Sequence, residues 1–359
     1  MVNNVLLTKP KNVNNIMKGG NVFLFKKKYF KFNVFLSFFL LFICLISSSI
    51  VYAKDDIYVI PGGDAIGLKL DTGVYVAGKF QVSTKNTKLT PWKNSDIEEG
   101  DHIISCNGIT VMKTADLNRL IQNTENNMAT LEIQRNSECF TTEIDVVKTI
   151  NGEQTIGLYV KDRLIGIGTL TFIDPENKTF ASLGHGISDK SLNFGSVSGE
   201  LVLSKIEGIK KGIPGTSGEK RASISSGNIG SISINSITGV YGKINTVDKR
   251  KTIRVATQSE IKKGAAKILT VIDGDKIESF NVEVIGINHQ DSRGVKGIKI
   301  KVTDQRLIDV AGGIVQGMSG SPIIQNNMII GAVSHVSLED PTIGYGMHIE
   351  WMINESKKL

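Results

Sequence analysis

The sequence predicts a mainly β body behind a single membrane-crossing segment. Three observations carry that reading. Residues 34–53 hold no charged side chain and are dominated by Phe, Leu and Ile. From residue 150 onward, short alternating runs recur at 164–172, 178–182, 230–234, 268–272, 280–287, 297–302 and 328–333, separated by Gly-rich turns. Long helical periods are missing from that half, apart from 348–358 at its end. Many short strands at such spacing argue for a sandwich or a barrel. With 40% hydrophobic residues in 359, the chain can fill its core.

The uncharged run is about 20 residues, enough to cross a bilayer core as a helix at roughly 1.5 Å per residue. Lys26, Lys27, Lys28 and Lys31 stand just before it, and positive charge on that flank stays cytoplasmic. Residues 1–33 therefore read as a basic cytoplasmic segment, 34–53 as a transmembrane signal-anchor, and the remainder as delivered outside the cytosol. Val51-Tyr52-Ala53 also offers small residues at signal-peptidase spacing, so release by cleavage is the alternative to anchoring. The same segment accounts for the net charge. Of 42 basic residues, seven lie in 1–53 with no acid among them, and the other 35 balance the 35 acids. A neutral body gives no electrostatic reason to expect nucleic acid as a partner. Cys44, Cys106 and Cys139 are spread too far for a CxxC motif. No His, Cys and acid spacing suits zinc, so no metal or other cofactor is expected.

In the middle region, 73–78 reads as a short apolar strand, followed by a polar loop with Pro91. Asn107-Gly108 supplies the positive φ of a type I′ turn and joins two short strands into a hairpin. Leu117, Leu120 and Ile121 fall at helical spacing across 116–123, with Thr114 as a possible N-cap. Residues 129–134 alternate as a strand. This order resembles a PDZ domain of the kind attached to exported proteases, over 57–147. The run Gly100-Asp101-x-Ile103, Asn107-Gly108 and Val111 carries the likeness. Ile66-Gly67-Leu68 matches the apolar-Gly-apolar loop whose amides hold a ligand carboxylate in that family. The resemblance implies a peptide C-terminus or an internal strand as ligand there. Ser95-Asp96 departs from the Ala-Gly that bacterial members usually carry before the Gly-Asp motif.

Two places in 150–359 have the setting of chemistry. Gly317-Met318-Ser319-Gly320-Ser321-Pro322 places a Ser between glycines on a tight turn, where its hydroxyl has little cover. The amides of Gly317 and Ser319 could form an oxyanion hole. A Ser needs a base to act as nucleophile, and Leu183-Gly184-His185-Gly186 presents a His just after a strand. His335, after the run 328–333, is the rival base, and Ser321 the rival nucleophile. His102, His289 and His348 read as structural or solvated. Residues 207–231, rich in Gly, Ser and Lys, read as a long loop or flap.

The blocks 166–172 (Gly-Ile-Gly-Thr-Leu-Thr-Phe), 183–189, 268–273, 303–325 and 344–352 are similar to the stage IV sporulation protein B serine peptidase family of endospore-forming bacteria. The likeness runs over nearly everything from residue 57. It implies a membrane segment, a PDZ domain, then a peptidase domain akin to chymotrypsin-like double β-barrels. It also implies Ser319 as nucleophile, His185 as general base and Asp304 as the acid of a triad. The residues alone do not choose Asp304 over Asp309 or Asp189, and the bland reading is that Asp304 caps the turn before Leu307. In that family the peptidase is secreted between forespore and mother-cell membranes. There it cuts itself and a membrane protein that restrains an intramembrane metalloprotease, which then matures a late sigma factor. The alternative is a PDZ-led binding or scaffold protein with a dead or dispensable peptidase domain.

Overall fold

A computed structural model of the chain describes residues 56–189, 194–247 and 249–359. The signal-anchor expected at 34–53 lies outside these residues. Among those described, no helix is long and apolar enough to cross a membrane. The architecture is mainly β, as the alternating runs required. In chain order the principal strands open with β1 (Tyr58–Pro61), β2 (Ala65–Lys79), β3 (His102–Cys106) and β4 (Ile109–Thr110). Helix α1 (Thr114–Gln122) follows, then β5 (Met128–Arg135), β6 (Glu138–Asp145), β7 (Leu158–Asp174) and β8 (Thr179–Ser182). Next come β9 (Gly195–Lys210), β10 (Glu219–Ser236), β11 (Gly239–Ile244), β12 (Ile253–Val255), β13 (Gly264–Val271), β14 (Ile277–Ile287) and β15 (Ile298–Val302). Helix α2 (Gln305–Ala311), β16 (Pro322–Gln325), β17 (Met328–Val336), β18 (Ile343–His348) and helix α3 (Ile349–Ser356) complete the chain.

Two rings of antiparallel strands organise these elements. In the first, β2 pairs with β9, β9 with β10, β10 with β11, β11 with β8, β8 with β7, and β7 returns to β2. In the second, β13 pairs with β14, β14 with β15, β15 with β18, β18 with β17, β17 with β16, and β16 returns to β13. Closure removes free edges from each ring. Each encloses its own apolar filling. Ile66, Leu68, Leu170, Leu201 and Val240 pack together in the first. Ile268, Phe280, Val284, Ile300 and Ile323 do so in the second. A further cluster joins Phe172, Tyr241, Ile329 and Met347 with Met352 of α3. Strand β1 pairs with β7 of the first ring and with β12, which pairs parallel to β17 of the second.

A small α+β module is inserted between β2 and β7. Its strands β3 to β6 extend the sheet from β2. Leu117, Leu120 and Ile121 of α1 pack with Ile103, Leu131, Ile133 and Ile144. Asn107 and Gly108 both take positive φ, 52° and 76°, as the type I′ reading requires. Thr114 is the first helical residue rather than the cap. Its amide donates to Asp162 Oδ2 at 2.8 Å, while Lys113 N donates to Asp116 Oδ2 at 3.2 Å.

Three expectations change here. Residues 57–70 belong to β1 and the first ring, so the module is narrower than 57–147. Ile66, Gly67 and Leu68 do not form an open carboxylate-binding loop. They sit in mid-β2, where Gly67 pairs with Ile167 on one side and Val202 on the other, and Ile66 and Leu68 are fully buried. An apolar-Gly-apolar triplet suits a buried strand as well as a loop, and only the partners decide. The region 207–231 is not a flap either. β9 and β10 pair from Gly195↔Asn235 to Lys210↔Glu219, leaving a loop only at 211–218. Much of this hairpin faces solvent, so Ser, Lys and Gly suffice along it.

The Gly-Asp motif of the module has a structural job. Asp101 is 1% exposed and accepts from Arg135 Nε at 2.7 Å, Arg135 Nη2 at 2.8 Å and Glu98 N at 2.7 Å. Burial opposes its ionisation, but these donors outweigh burial and hold the carboxyl below its ordinary range. The carboxylate's contribution is thus complete above the unfolded value and drains as pH falls below about 4. Arg135→Met, which leaves this carboxylate buried and unpaired, should cost about 2–3 kcal/mol. Hydrogen exchange of the β3 and β5 amides, or thermal unfolding, should show it. The loss should shrink toward acid pH, and a pH-independent loss would mean packing rather than charge is responsible.

Candidate active site

Ser319 and His185 come from different rings. Ser319 lies on the turn that enters β16, and His185 lies just beyond β8. The turn holds itself by Met318 N to Val315 O at 3.1 Å and Ser321 N to Met318 O at 3.0 Å. The first ring grips it from outside. Thr169 N donates to Ser319 O at 2.9 Å, Thr169 Oγ1 to Gly317 O at 2.8 Å, and Thr171 Oγ1 to Gly320 O at 2.8 Å. Both threonines are fully buried on one face of β7. The approach is so close that a Cβ at Gly320 (φ 94°) would lie 2.1 Å from Thr169 O. These threonines sit in the motif at 166–172, but nothing local assigned them a role. Two buried hydroxyls at i and i+2 in a strand, each in need of a partner, were the available signal.

Among the described residues, neither Gly317 N nor Ser319 N donates to any group of the chain, while Met318 N between them and Gly320 N after them do. Two amides two residues apart, beside the Ser hydroxyl, are what an oxyanion hole needs. Ser319 is partly exposed, and its Oγ lies 3.5 Å from Ser334 O. Ser321 is fully buried with its hydroxyl unpartnered, which removes it as an alternative nucleophile.

His185 is presented by strained backbone. Leu183, buried and with φ 73°, and Gly184, with φ 65°, turn the chain sharply after β8. A left-handed Leu is uncommon and is kept only where its surroundings insist. The His185 ring lies half-buried with Nδ1 2.9 Å from Gly186 O. Its centroid is 5.5 Å from that of His335. Desolvation, then the neighbouring His185 and Lys296, hold the His335 imidazole below its usual range. Ser319, His185 and His335 line one cleft of about 590 Å³. Leu164, Ile165, Ile167 and Ile187 add apolar wall, and Asp189 is the one acid among the lining residues. No hydrogen bond joins Ser319 to either His among the described residues.

The structure does not bring Asp304 to this cleft. Its side chain is the N-cap of α2. Oδ1 accepts from Arg306 N at 3.2 Å and Arg306 Nε at 3.0 Å, and Oδ2 from Arg306 Nη2 at 2.9 Å and Asn281 N at 3.2 Å. A carboxylate offers about four lone-pair sites, so none is left for an imidazole. The Arg306 guanidinium holds this carboxyl below the usual range, against the opposing effect of burial. The bland reading of Asp304 as a cap describes its contacts. Asp309 bonds Gln305 Nε2 at 2.7 Å, and Asp189 lies 4.0 Å from Lys161 Nζ. Of the other histidines, His348 is fully buried with Nε2 2.9 Å from Asn288 O, and His102 stacks on Tyr75 at 4.6 Å.

The model of the SpoIVB peptidase S55 family matches residues 152–353, more than half of the chain. No curated protein matches. Among solved structures, the Rv3671c protease of M. tuberculosis in its active form is similar at 12% identity and a TM-score of 0.32, over 54% of this chain and 74% of that one. An inactive mutant form of Rv3671c is similar at 12% identity and a TM-score of 0.30, over 54% and 81%. The match covers both His185 and the Ser319 turn, and the chain belongs to the SpoIVB peptidase S55 family of serine peptidases.

Proposed function

We propose that Ser319 is the nucleophile of this peptidase, His185 its general base, and the Gly317 and Ser319 amides its oxyanion hole. The carrying observation is the pair of undonated amides flanking Met318, beside a partly exposed hydroxyl and in one cleft with a presented imidazole. Ser319 Oγ attacks the scissile carbonyl, His185 takes its proton and later passes it to the leaving amine, and the two amides hold the oxyanion. The closed rings have the strand count and antiparallel order of chymotrypsin-like double barrels.

The biological setting follows from the family resemblance. The chain acts as an exported serine endopeptidase of sporulation, anchored through 34–53 or released by cleavage, in the space between the forespore and mother-cell membranes. It cuts itself and a membrane protein that restrains an intramembrane metalloprotease, and so triggers processing of a late sigma factor. With residues 66–68 sealed inside the first ring, docking of a substrate's C-terminus or internal strand falls to the inserted module between β2 and β7. The apolar cleft walls suit an extended segment with apolar side chains beside the scissile bond.

Four substitutions test the chemistry. Ser319→Ala should abolish fluorophosphonate labelling and self-cleavage, a loss of about 10⁴-fold or more, with Tm nearly unchanged. Self-cleavage that persists without any other protease would remove Ser319 from the role. His185→Ala should lose labelling by about 10³-fold or more, while His335→Ala should lose far less. The reverse order would make His335 the base. Asp304→Asn should lower Tm by loosening the Arg306 contact, yet leave labelling of the folded protein within a few-fold of the unmodified chain. Collapse of labelling in a stable Asp304→Asn protein would restore it to the triad.

A further inference from the structure

The imidazole of a catalytic His has to be held so that Nδ1 carries the proton and Nε2 is bare, and serine peptidases usually do this with a carboxylate. Here Nδ1 of His185 meets Gly186 O at 2.9 Å. A carbonyl oxygen can only accept, so that contact by itself fixes the tautomer. What, then, fixes the carbonyl? It belongs to the same planar peptide group as the Ile187 N–H. That N–H donates to Asn235 Oδ1 at 2.9 Å, and Asn235 Nδ2 donates back to Ile187 O at 2.9 Å. The two bonds grip Ile187 from both ends and leave no ambiguity about which amide atom of Asn235 is which. Asn235 itself is fully buried near the end of β10.

We propose that Asn235 is the positioning residue for His185, acting through the Gly186–Ile187 peptide group. Holding the N–H end of a planar amide aims its C=O end, and an acceptor on the N–H polarises that C=O toward a stronger bond with Nδ1–H. The surroundings are built for it. A Cβ on Gly186 would lie 2.3 Å from Ser236 O, so the His loop is pressed against the end of β10. Beyond Asn235, Ser236 Oγ, Thr238 Oγ1 and Tyr241 OH form a buried chain at 2.8 and 2.6 Å that braces the β10–β11 turn. Among the described residues, the other charged or titratable groups lining the cleft with His185 are His335 and Asp189. Asp189 lies 4.0 Å from Lys161 Nζ, and the contact made by His185 Nδ1 is with the Gly186 carbonyl.

The proposal rests on His185 being the base, and the experiment separates the two. Fluorophosphonate labelling rates of the full chain are compared for Asn235→Ala, Thr238→Val and His185→Ala, each with its Tm. Thr238→Val disturbs the same turn without touching Ile187. Asn235→Ala should lose about 30-fold or more in labelling, and Thr238→Val less than about threefold at a similar loss of Tm. Equal losses in these two, or a folded Asn235→Ala within threefold of the unmodified chain, would overturn the positioning role. If in that case His185→Ala is still dead, the base assignment survives alone. A labelled His185→Ala overturns both. Should Asn235→Ala fail to fold, the ¹⁵N-labelled unmodified chain decides by NMR. A downfield imidazole N–H proton at neutral pH, absent from His185→Ala, is expected, and its absence would sink the proposal.

Discussion

Three hydrogen bonds from β7 to the carbonyls of the Gly317–Gly320 turn hold the two halves of the active site in one frame. The second ring supplies Ser319, and the first supplies His185. Thr169 and Thr171 tie the Ser turn directly to β7, which pairs with β8, the strand that delivers His185. Each bond is worth about 1 kcal/mol net, but three buried carbonyls stripped of donors would cost several times that. The grip therefore serves both geometry and stability. The carbonyls that share peptide units with the Gly317 and Ser319 amides are those of Gln316 and Met318, which accept from Lys220 N at 2.9 Å and Ser321 N at 3.0 Å, while the threonines hold the neighbouring carbonyls of Gly317, Ser319 and Gly320.

How much of this was legible in the sequence depended on how local each signal is. Asn107-Gly108 announced its hairpin because the required φ belongs to those two residues alone. The Gly-Met-Ser-Gly turn and the Gly-His-Gly loop were readable because glycine marks close approach and exposure. The triplet at 66–68 was not, since a buried strand and a ligand-binding loop ask for the same apolar residues, and the difference lies in β9, more than a hundred residues on. The β9–β10 hairpin was hidden for the opposite reason. Its outward half has no core to fill, so its composition imitates a loop. Asp304 looked catalytic by motif, but the guanidinium two residues away in sequence uses the carboxylate up. Asn235 gave no signal at all, because an Asn before Ser in a strand end is ordinary until Ile187, 48 residues earlier, is seen against it.

The inserted module changes what kind of protein this is. It is not a bead on a linker. β2 and β7 are 15 and 17 residues long and pair from Ala65↔Thr169 to Lys79↔Leu158, running out of the first ring into the module without a break. Register shifts at Tyr159/Val160 and Lys161/Arg163 let this ribbon twist between the two bodies. Any partner that seats on the module therefore acts on strands that continue into the wall of the cleft.

That continuity also sets the order in which the protein can become active. β2 is made early, yet its partner β7 is separated from it by the whole module, β9 arrives later still, and Ser319 comes near the end of the chain. A ribosome or export channel delivering residues one at a time releases a first strand with nothing to close against. The module can condense on its own local contacts in the meantime, while the ring waits for distant segments, a slow kind of closure. Ser319, the proposed nucleophile, emerges after His185, so on that assignment a chain still being delivered is held chemically silent by its topology.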